Sequence, residues 1–340
     1  MTPRRRVGRP KSVLSSWLAP RRKVRRPGVA KPLVRPQRPV RKAVAPPRQQ
    51  GRWVRGPAAA IGGRSYDVYL PKGHRRATKA PLVMLLHGCL QTPAEFADAS
   101  RFTAVADRNG FLLVVPHQEG RHHPQRCWRW YESRNQQRGV GEPAVLAAIL
   151  LDVLAETSRW RVEGGRVYVA GLSAGGAMAM TMAATYPDLV AAAGVHSAPA
   201  YRSATGGGQA LAAMAGRTRV PPPAAPVAAI APLIVVQGRA DGMVAAANAE
   251  RIADQWLAHY SVAGGPAATV RSRVDKGHAQ GRSYTRIRWY AARNRRVLEM
   301  WEVERLGHAW SGGRAGGSYS DPEGPRASTL MWDFFRAHSR

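Results

Sequence analysis

Gly171-Leu172-Ser173-Ala174-Gly175 is the stretch of this 340-residue chain whose residue types and spacing most directly suit chemistry. A serine hydroxyl is a weak nucleophile near neutral pH. It becomes a useful one when an adjacent base takes its proton and a third group fixes that base. Val167 to Ala170, just before the turn, are strand formers, and the small residues Ala177 to Ala184 after it favour helix. In that setting of strand, sharp turn and helix, a Gly-x-Ser-x-Gly sequence lifts its serine clear of a sheet at a helix N-terminus. The flanking glycines are needed because the turn presses its backbone against neighbouring strand and helix. Ser173 itself is expected in a strained conformation. The same pattern also occurs by chance in Gly- and Ala-rich loops, so the partners matter.

Two partners have matching placement. Asp241 lies in the turn Gly238-Arg239-Ala240-Asp241-Gly242-Met243-Val244, directly after the apolar run Leu233 to Val236. His308 lies in Gly307-His308-Ala309-Trp310, after the strand-like Val297 to Val303. Taken singly, Asp241 also reads as a helix N-cap and His308 as a surface histidine. Three such residues after three strands, in the order nucleophile, acid, base, read together as the triad Ser173, Asp241 and His308, the order α/β-hydrolases use. A tetrahedral oxyanion needs two amide donors. One is expected from Ala174, at the start of the elbow helix. The other is expected from Cys89, in the loop His87-Gly88-Cys89 that follows the apolar run Leu82 to Leu86.

The elements that must position these groups follow from periodicity. Leu82 to Leu86, Phe111 to Val115 and Leu233 to Val236 are continuous apolar runs, as strands buried on both faces require. Gly62 to Leu70 alternates and predicts an early strand at the sheet edge. Pro93 to Asn109, Glu142 to Trp160, Asn248 to Tyr260 and Ala327 to Ala337 read as helices, and Leu189 to Val195, Thr269 to Val274 and Tyr284 to Tyr290 as further strands. Residues 201 to 231, rich in Gly, Ala and Pro, read as a cap or crossing loop. Strands alternating with helices from Leu82 onward predict an α/β fold, a mostly parallel central sheet with helices on both faces. Reactive groups belong at the carboxyl ends of its strands. The long irregular stretch 117 to 141, with its run Cys127 to Tyr131, is the kind of loop that carries function.

Charge divides the chain. Residues 1 to 56 hold 18 Lys or Arg and nine prolines with no acidic residue, so the rest carries +13 of the formal +31. Such a stretch cannot bury enough apolar surface to offset the entropy of ordering. It reads as a disordered basic tail, with residues 57 to 340 as the catalytic domain. Coulomb attraction and counterion release would draw the tail to polyanions or anionic surfaces; a solvated leader without a partner is the alternative. Val13 to Ala19 is too short for a signal-peptide core, and nothing reads as an integral membrane segment.

His87-Gly88-Cys89-Leu90-Gln91, Cys127-Trp128-Arg129-Trp130-Tyr131, Gly141-Glu142-Pro143, Gly171 to Gly176 and Gly307-His308-Ala309-Trp310-Ser311-Gly312-Gly313 together resemble the polyhydroxybutyrate depolymerase family of esterases. Feruloyl and acetylxylan esterases are relatives of that family. The resemblance covers roughly residues 60 to 338. It implies an α/β-hydrolase fold and serine esterase activity on carboxylic esters, without cofactor or metal. The substrate it implies is a 3-hydroxybutyrate oligomer, a polyhydroxyalkanoate or a short acyl ester. A feruloyl- or acetylxylan-type esterase is the neighbouring reading, and a non-catalytic protein that binds polyanions or granules the reading from another class. Trp128, Trp130, Tyr131 and Trp310 are the expected substrate-binding residues. The resemblance also suggests a Cys89–Cys127 disulfide, against the alternative of two free buried thiols. It favours an extracellular or periplasmic address, while the lack of a clear signal peptide keeps the cytoplasm as an alternative. The chain ends almost directly after its closing helix, without the linker and binding domain that polymer-eroding members often append. Soluble or oligomeric esters are therefore expected over crystalline polymer.

Overall fold

A computed structural model describes residues 51–57, 62–221, 230–262 and 270–340. The basic stretch up to residue 50 lies outside the described residues, as do residues 222–229 of the segment read as a cap and Thr269. Ten strands form one sheet: β1 (Arg52–Arg55), β2 (Tyr66–Leu70), β3 (Ala80–Leu86), β4 (Leu112–Pro116), β5 (Val162–Leu172), β6 (Ala192–His196), β7 (Leu233–Gly238), β8 (Arg271–Ala279), β9 (Arg282–Tyr290) and β10 (Arg296–Val303). Their order is β1-β2-β4-β3-β5-β6-β7-β10-β9-β8. The six strands from β4 to β10 run parallel, while β1, β2, β9 and β8 extend the two sides antiparallel. The sheet is therefore mixed.

The helices are α1 (Pro93–Ala99), α2 (Phe102–Asn109), α3 (Gly141–Ala155), α4 (Ala174–Thr185), α5 (Gly207–Met214), α6 (Ala247–Val262) and α7 (Ala327–Phe335). Alternation along β3 explains the layers. Leu82, Met84 and Leu86 pack into a core with α3, α4 and α6 residues such as Ile149, Met178 and Trp256. Val83 and Leu85 pack on the opposite face with Phe96, Phe102 and Phe335 from α1, α2 and α7. Each fully buried aliphatic or aromatic side chain contributes about 1.5–3 kcal/mol of transfer free energy. Both faces are thus closed to water, and reactivity is left to the ends of the strands.

Several boundaries differ from the sequence reading, and a helix, α5, lies in the stretch read as a cap or crossing loop. Arg52–Arg55, assigned to the tail, pairs with β2 as the outermost strand, so β2 is not at the edge. Nothing on β1 is fully buried, so it shows no apolar pattern; its backbone ladder and the Trp53–Tyr69 ring contact at 5.0 Å hold it. Pro93 to Asn109 is two helices. A capping box between Thr92 and Glu95 starts α1, and Arg101, at φ 62°, breaks the chain before α2. No Gly or Pro marks that break. Helix α3 stops at Ala155, and Trp160 is instead pinned by its indole N–H donating to the Val153 carbonyl at 2.8 Å. Strand β6 starts only at Ala192, because Leu189 and Val190 are turned back onto the Tyr186 carbonyl.

Candidate active site

Ser173 stands between β5 and α4 with φ 56° and ψ −120°, a conformation that costs a non-glycine residue roughly 1–3 kcal/mol. The surroundings leave the turn no alternative. A Cβ on Gly171 would come within 2.3 Å of the Gly175 backbone, and one on Gly175 within 2.1 Å of the Leu86 carbonyl oxygen. The Ser173 amide donates to the His196 carbonyl at 2.9 Å, which ties the turn to β6.

Asp241 follows β7, and its side chain is fully buried. Oδ2 lies 2.8 Å from His308 Nδ1, while Oδ1 accepts the amides of Met243 at 2.9 Å and Val244 at 2.8 Å. The capping geometry read as an alternative and the contact with histidine therefore coexist on one carboxylate, with no helix at that point. Burial opposes ionisation of Asp241. The His308 contact and the two amides outweigh it and hold the carboxyl below its ordinary range. His308 follows β10 on a loop, and its side chain is only 7% exposed. His308 and Ser173 line the same cavity, of about 80 Å³.

The loop after β3 faces this cavity through Gly88 and Cys89. The backbone amide of Gln118 donates to His87 Nε2 at 3.3 Å, so His87 carries its proton on Nδ1 and donates it to the Gly88 carbonyl at 2.8 Å. That carbonyl shares a planar peptide unit with the Cys89 N–H, so fixing one fixes the direction of the other. Burial pushes the His87 imidazole down to about 4, and the clip stays neutral near pH 7. Ala174 is a first-turn helix residue, so its amide has no intrahelical acceptor. A disulfide joins Cys89 to Cys127, with the Cα atoms 4.3 Å apart.

Glu142, buried at the start of α3, organises the loop beyond Cys127. It accepts Gln118 Nε2 and the Arg129 amide, both at 2.7 Å, and Gln118 Nε2 also donates to the Cys127 carbonyl. Burial raises the Glu142 pKa against the opposing effect of those donors. Among the described residues no group of three or more His, Cys, Asp or Glu could hold a metal ion.

A family profile described as Esterase PHB depolymerase matches residues 64–282. The chain belongs to this family. Among its curated relatives, poly(3-hydroxyalkanoate) depolymerase C of Paucimonas lemoignei is 37% identical over 137 residues, which is 40% of this chain and 32% of that protein. Feruloyl esterase B of Neurospora crassa is 31% identical over 142 residues, 42% of this chain and 46% of that protein. The matches thus span a third to a half of these relatives. An acetyl xylan esterase from Aspergillus awamori superposes with a TM-score of 0.63 at 15% identity, covering 84% of this chain and all of that one. The likeness establishes the α/β-hydrolase fold.

Within this PHB depolymerase-family fold the expected aromatic residues separate. Trp130 lines the cavity, whereas Trp128, Tyr131 and Trp310 do not. Trp128 is wholly buried behind the loop, its indole N–H donating to the His87 carbonyl at 3.1 Å. Trp310 is core: it packs edge-on against Phe96 and donates to Ser328 Oγ at 3.1 Å. Tyr131 packs edge-on against Trp130 and faces His123. The remaining cavity walls come from Leu172, Ala174, Pro199, Met214, Met243, Val244 and Tyr319. Leu172, Ala174, Met243 and Val244 carried a signal, through their places in the Ser173 and Asp241 turns, whereas Pro199, Met214 and Tyr319 carried none.

Proposed function

We propose that this protein hydrolyses carboxylic esters through an acyl-enzyme on Ser173, with His308 as base and Asp241 orienting it. The observation that carries this reading is the 2.8 Å contact between His308 Nδ1 and buried Asp241, in a cavity shared with an elbow serine. With Nδ1–H donated to Asp241, Nε2 keeps its lone pair for the Ser173 proton. Ser173 Oγ bonds to the acyl carbon as the carbonyl electrons move onto oxygen. The amides of Ala174 and Cys89 receive that oxyanion, and each such donor is worth roughly 3 kcal/mol in the transition state. His308 then returns the proton to the departing alkoxide, and a water repeats the sequence to free the acid.

The cavity beside Ser173 is small and walled by Trp130, Pro199, Met214 and Met243, which favours short acyl groups and 3-hydroxybutyrate units. A panel of p-nitrophenyl esters of increasing chain length, hydroxybutyrate oligomers, amorphous polymer and methyl ferulate tests the assignment. Turnover is expected to be highest on short esters and oligomers. Preference for methyl ferulate would move the protein to the feruloyl type, and no turnover on any member would remove the esterase reading. The basic N-terminal stretch is proposed to hold the protein on polyanions, on the strength of its charge alone.

A further inference from the structure

His196 closes β6 and is fully buried, yet the reaction proposed above gives it no step. Three segments of the site converge on it. Its carbonyl accepts the Ser173 amide at 2.9 Å. Its Nε2 accepts the Ser311 amide at 3.1 Å, and its ring stacks on Trp310 with centroids 4.8 Å apart. Its Nδ1 lies 3.0 Å from Ser197 Oγ. Ser197 is itself at φ 50° and leads two residues on to Pro199 in the cavity wall.

A backbone amide can only donate, so His196 Nε2 must hold a lone pair and Nδ1 the proton, which goes to Ser197 Oγ. One tautomer satisfies both contacts. Trp310 and Ser311 lie two and three residues beyond His308. The stack and the amide bond therefore fasten the His308 loop to the same residue whose carbonyl fastens the Ser173 turn.

We propose that His196 is a positioning residue, locking the loop that carries His308 to the Ser173 turn so that base and nucleophile keep their relative placement. This rests on the reading of Ser173, Asp241 and His308 as the reacting set. A histidine kept only to fill the core needs neither a directed acceptor for Ser311 nor a fixed tautomer, and Phe would fill the space against Trp310 as well. Burial pushes the His196 imidazole down to about 3, so the ring stays neutral and its Nε2 remains an acceptor at working pH.

Three variants test this in the full chain: His196→Phe, which keeps an aromatic stack and removes the acceptor; His196→Gln, which restores a side-chain acceptor; and Ser173→Ala as the control. In folded His196→Phe, the Ser311 amide is expected to exchange with deuterium at least about tenfold faster than in wild type. On a soluble short ester kcat should fall roughly 10- to 100-fold with KM within about twofold, the pattern of a misplaced reacting pair. His196→Gln should recover part of both. Unchanged exchange and kcat in folded His196→Phe overturn the positioning role. If His196→Phe does not fold, Ser197→Ala carries the test by leaving the ring in place and removing the acceptor of its Nδ1 proton. Faster Ser311 exchange and a kcat lowered about threefold or more are then expected, and wild-type values overturn the proposal. The exchange measurement needs no substrate, so the two readings fail separately. A Ser173→Ala protein as active as wild type overturns the site assignment, and unchanged exchange overturns the positioning role.

Discussion

Ser173 occupies a backbone conformation that its side chain does not favour, and only the backbone contacts around Gly171, Gly175 and His196 keep it there. Replacing it with Ala removes a hydroxyl and leaves no core cavity. Ser173→Ala is therefore expected to keep its circular dichroism and melting temperature while losing more than about 99% of turnover on a soluble ester. Retention of more activity would point to another nucleophile. His87 and His196 make a second prediction. Both fold with pKa values near 4 and 3, below the ordinary value of about 6.5 for an unfolded histidine. Below about pH 6.5 the unfolded chain thus binds more protons than the folded one. Stability should fall as the pH drops toward 4, by up to roughly 1.4 kcal/mol per pH unit for each histidine. Asp241, held below its ordinary range, adds its own loss only at still lower pH. Urea midpoints that were equal at pH 7 and pH 5 would rule this out.

At the scale of elements, the sequence shows plainly whatever depends on buried strands. Val83 to Leu86, Val167 to Ala170 and Leu233 to Val236 are apolar because both faces are covered, and Gly-rich turns mark where Ser173, Asp241 and His308 leave the sheet. The walls of the cavity were hidden for the opposite reason. Met214 ends α5, while Pro199 and Tyr319 lie in separate connections; the three share no period, and only the folded chain brings them together. Trp310 and Trp128 misled because an aromatic in a motif reads the same whether it faces substrate or supports a loop. The Cys89–Cys127 bridge spans 38 residues between two such supports. The Cys89→Ala/Cys127→Ala protein is expected to be less stable by about 3–4 kcal/mol in urea titrations, less any strain released. Its kcat should also fall, because Cys89 belongs to the loop proposed to hold the oxyanion. Unchanged kcat would mean that the His87 clip alone holds the Cys89 amide in place.

For the whole molecule, β1 moves the edge of the fold to Arg52, so a truncation that spares it begins at residue 51. Deleting residues 1–50 is expected to leave kcat and KM on small esters within about twofold, and to cut heparin affinity along with most of its salt dependence. Equal heparin binding by the truncated protein would place the polyanion site on the folded part instead. That part has basic surface of its own, since the exposed strand β8 carries Arg271, Arg273 and Lys276 against the single acid Asp275.

Among the described residues no strand covers the outer side of β8, whose nine residues leave a row of backbone donors and acceptors open. An open row of that kind is a template on which a second chain can crystallise, and runaway stacking is the usual hazard. Here a second copy laid against it parallel and in register brings Arg271, Arg273 and Lys276 toward their own counterparts. In that register the edge repels its own kind, while a strand bearing carboxylates would meet no such barrier.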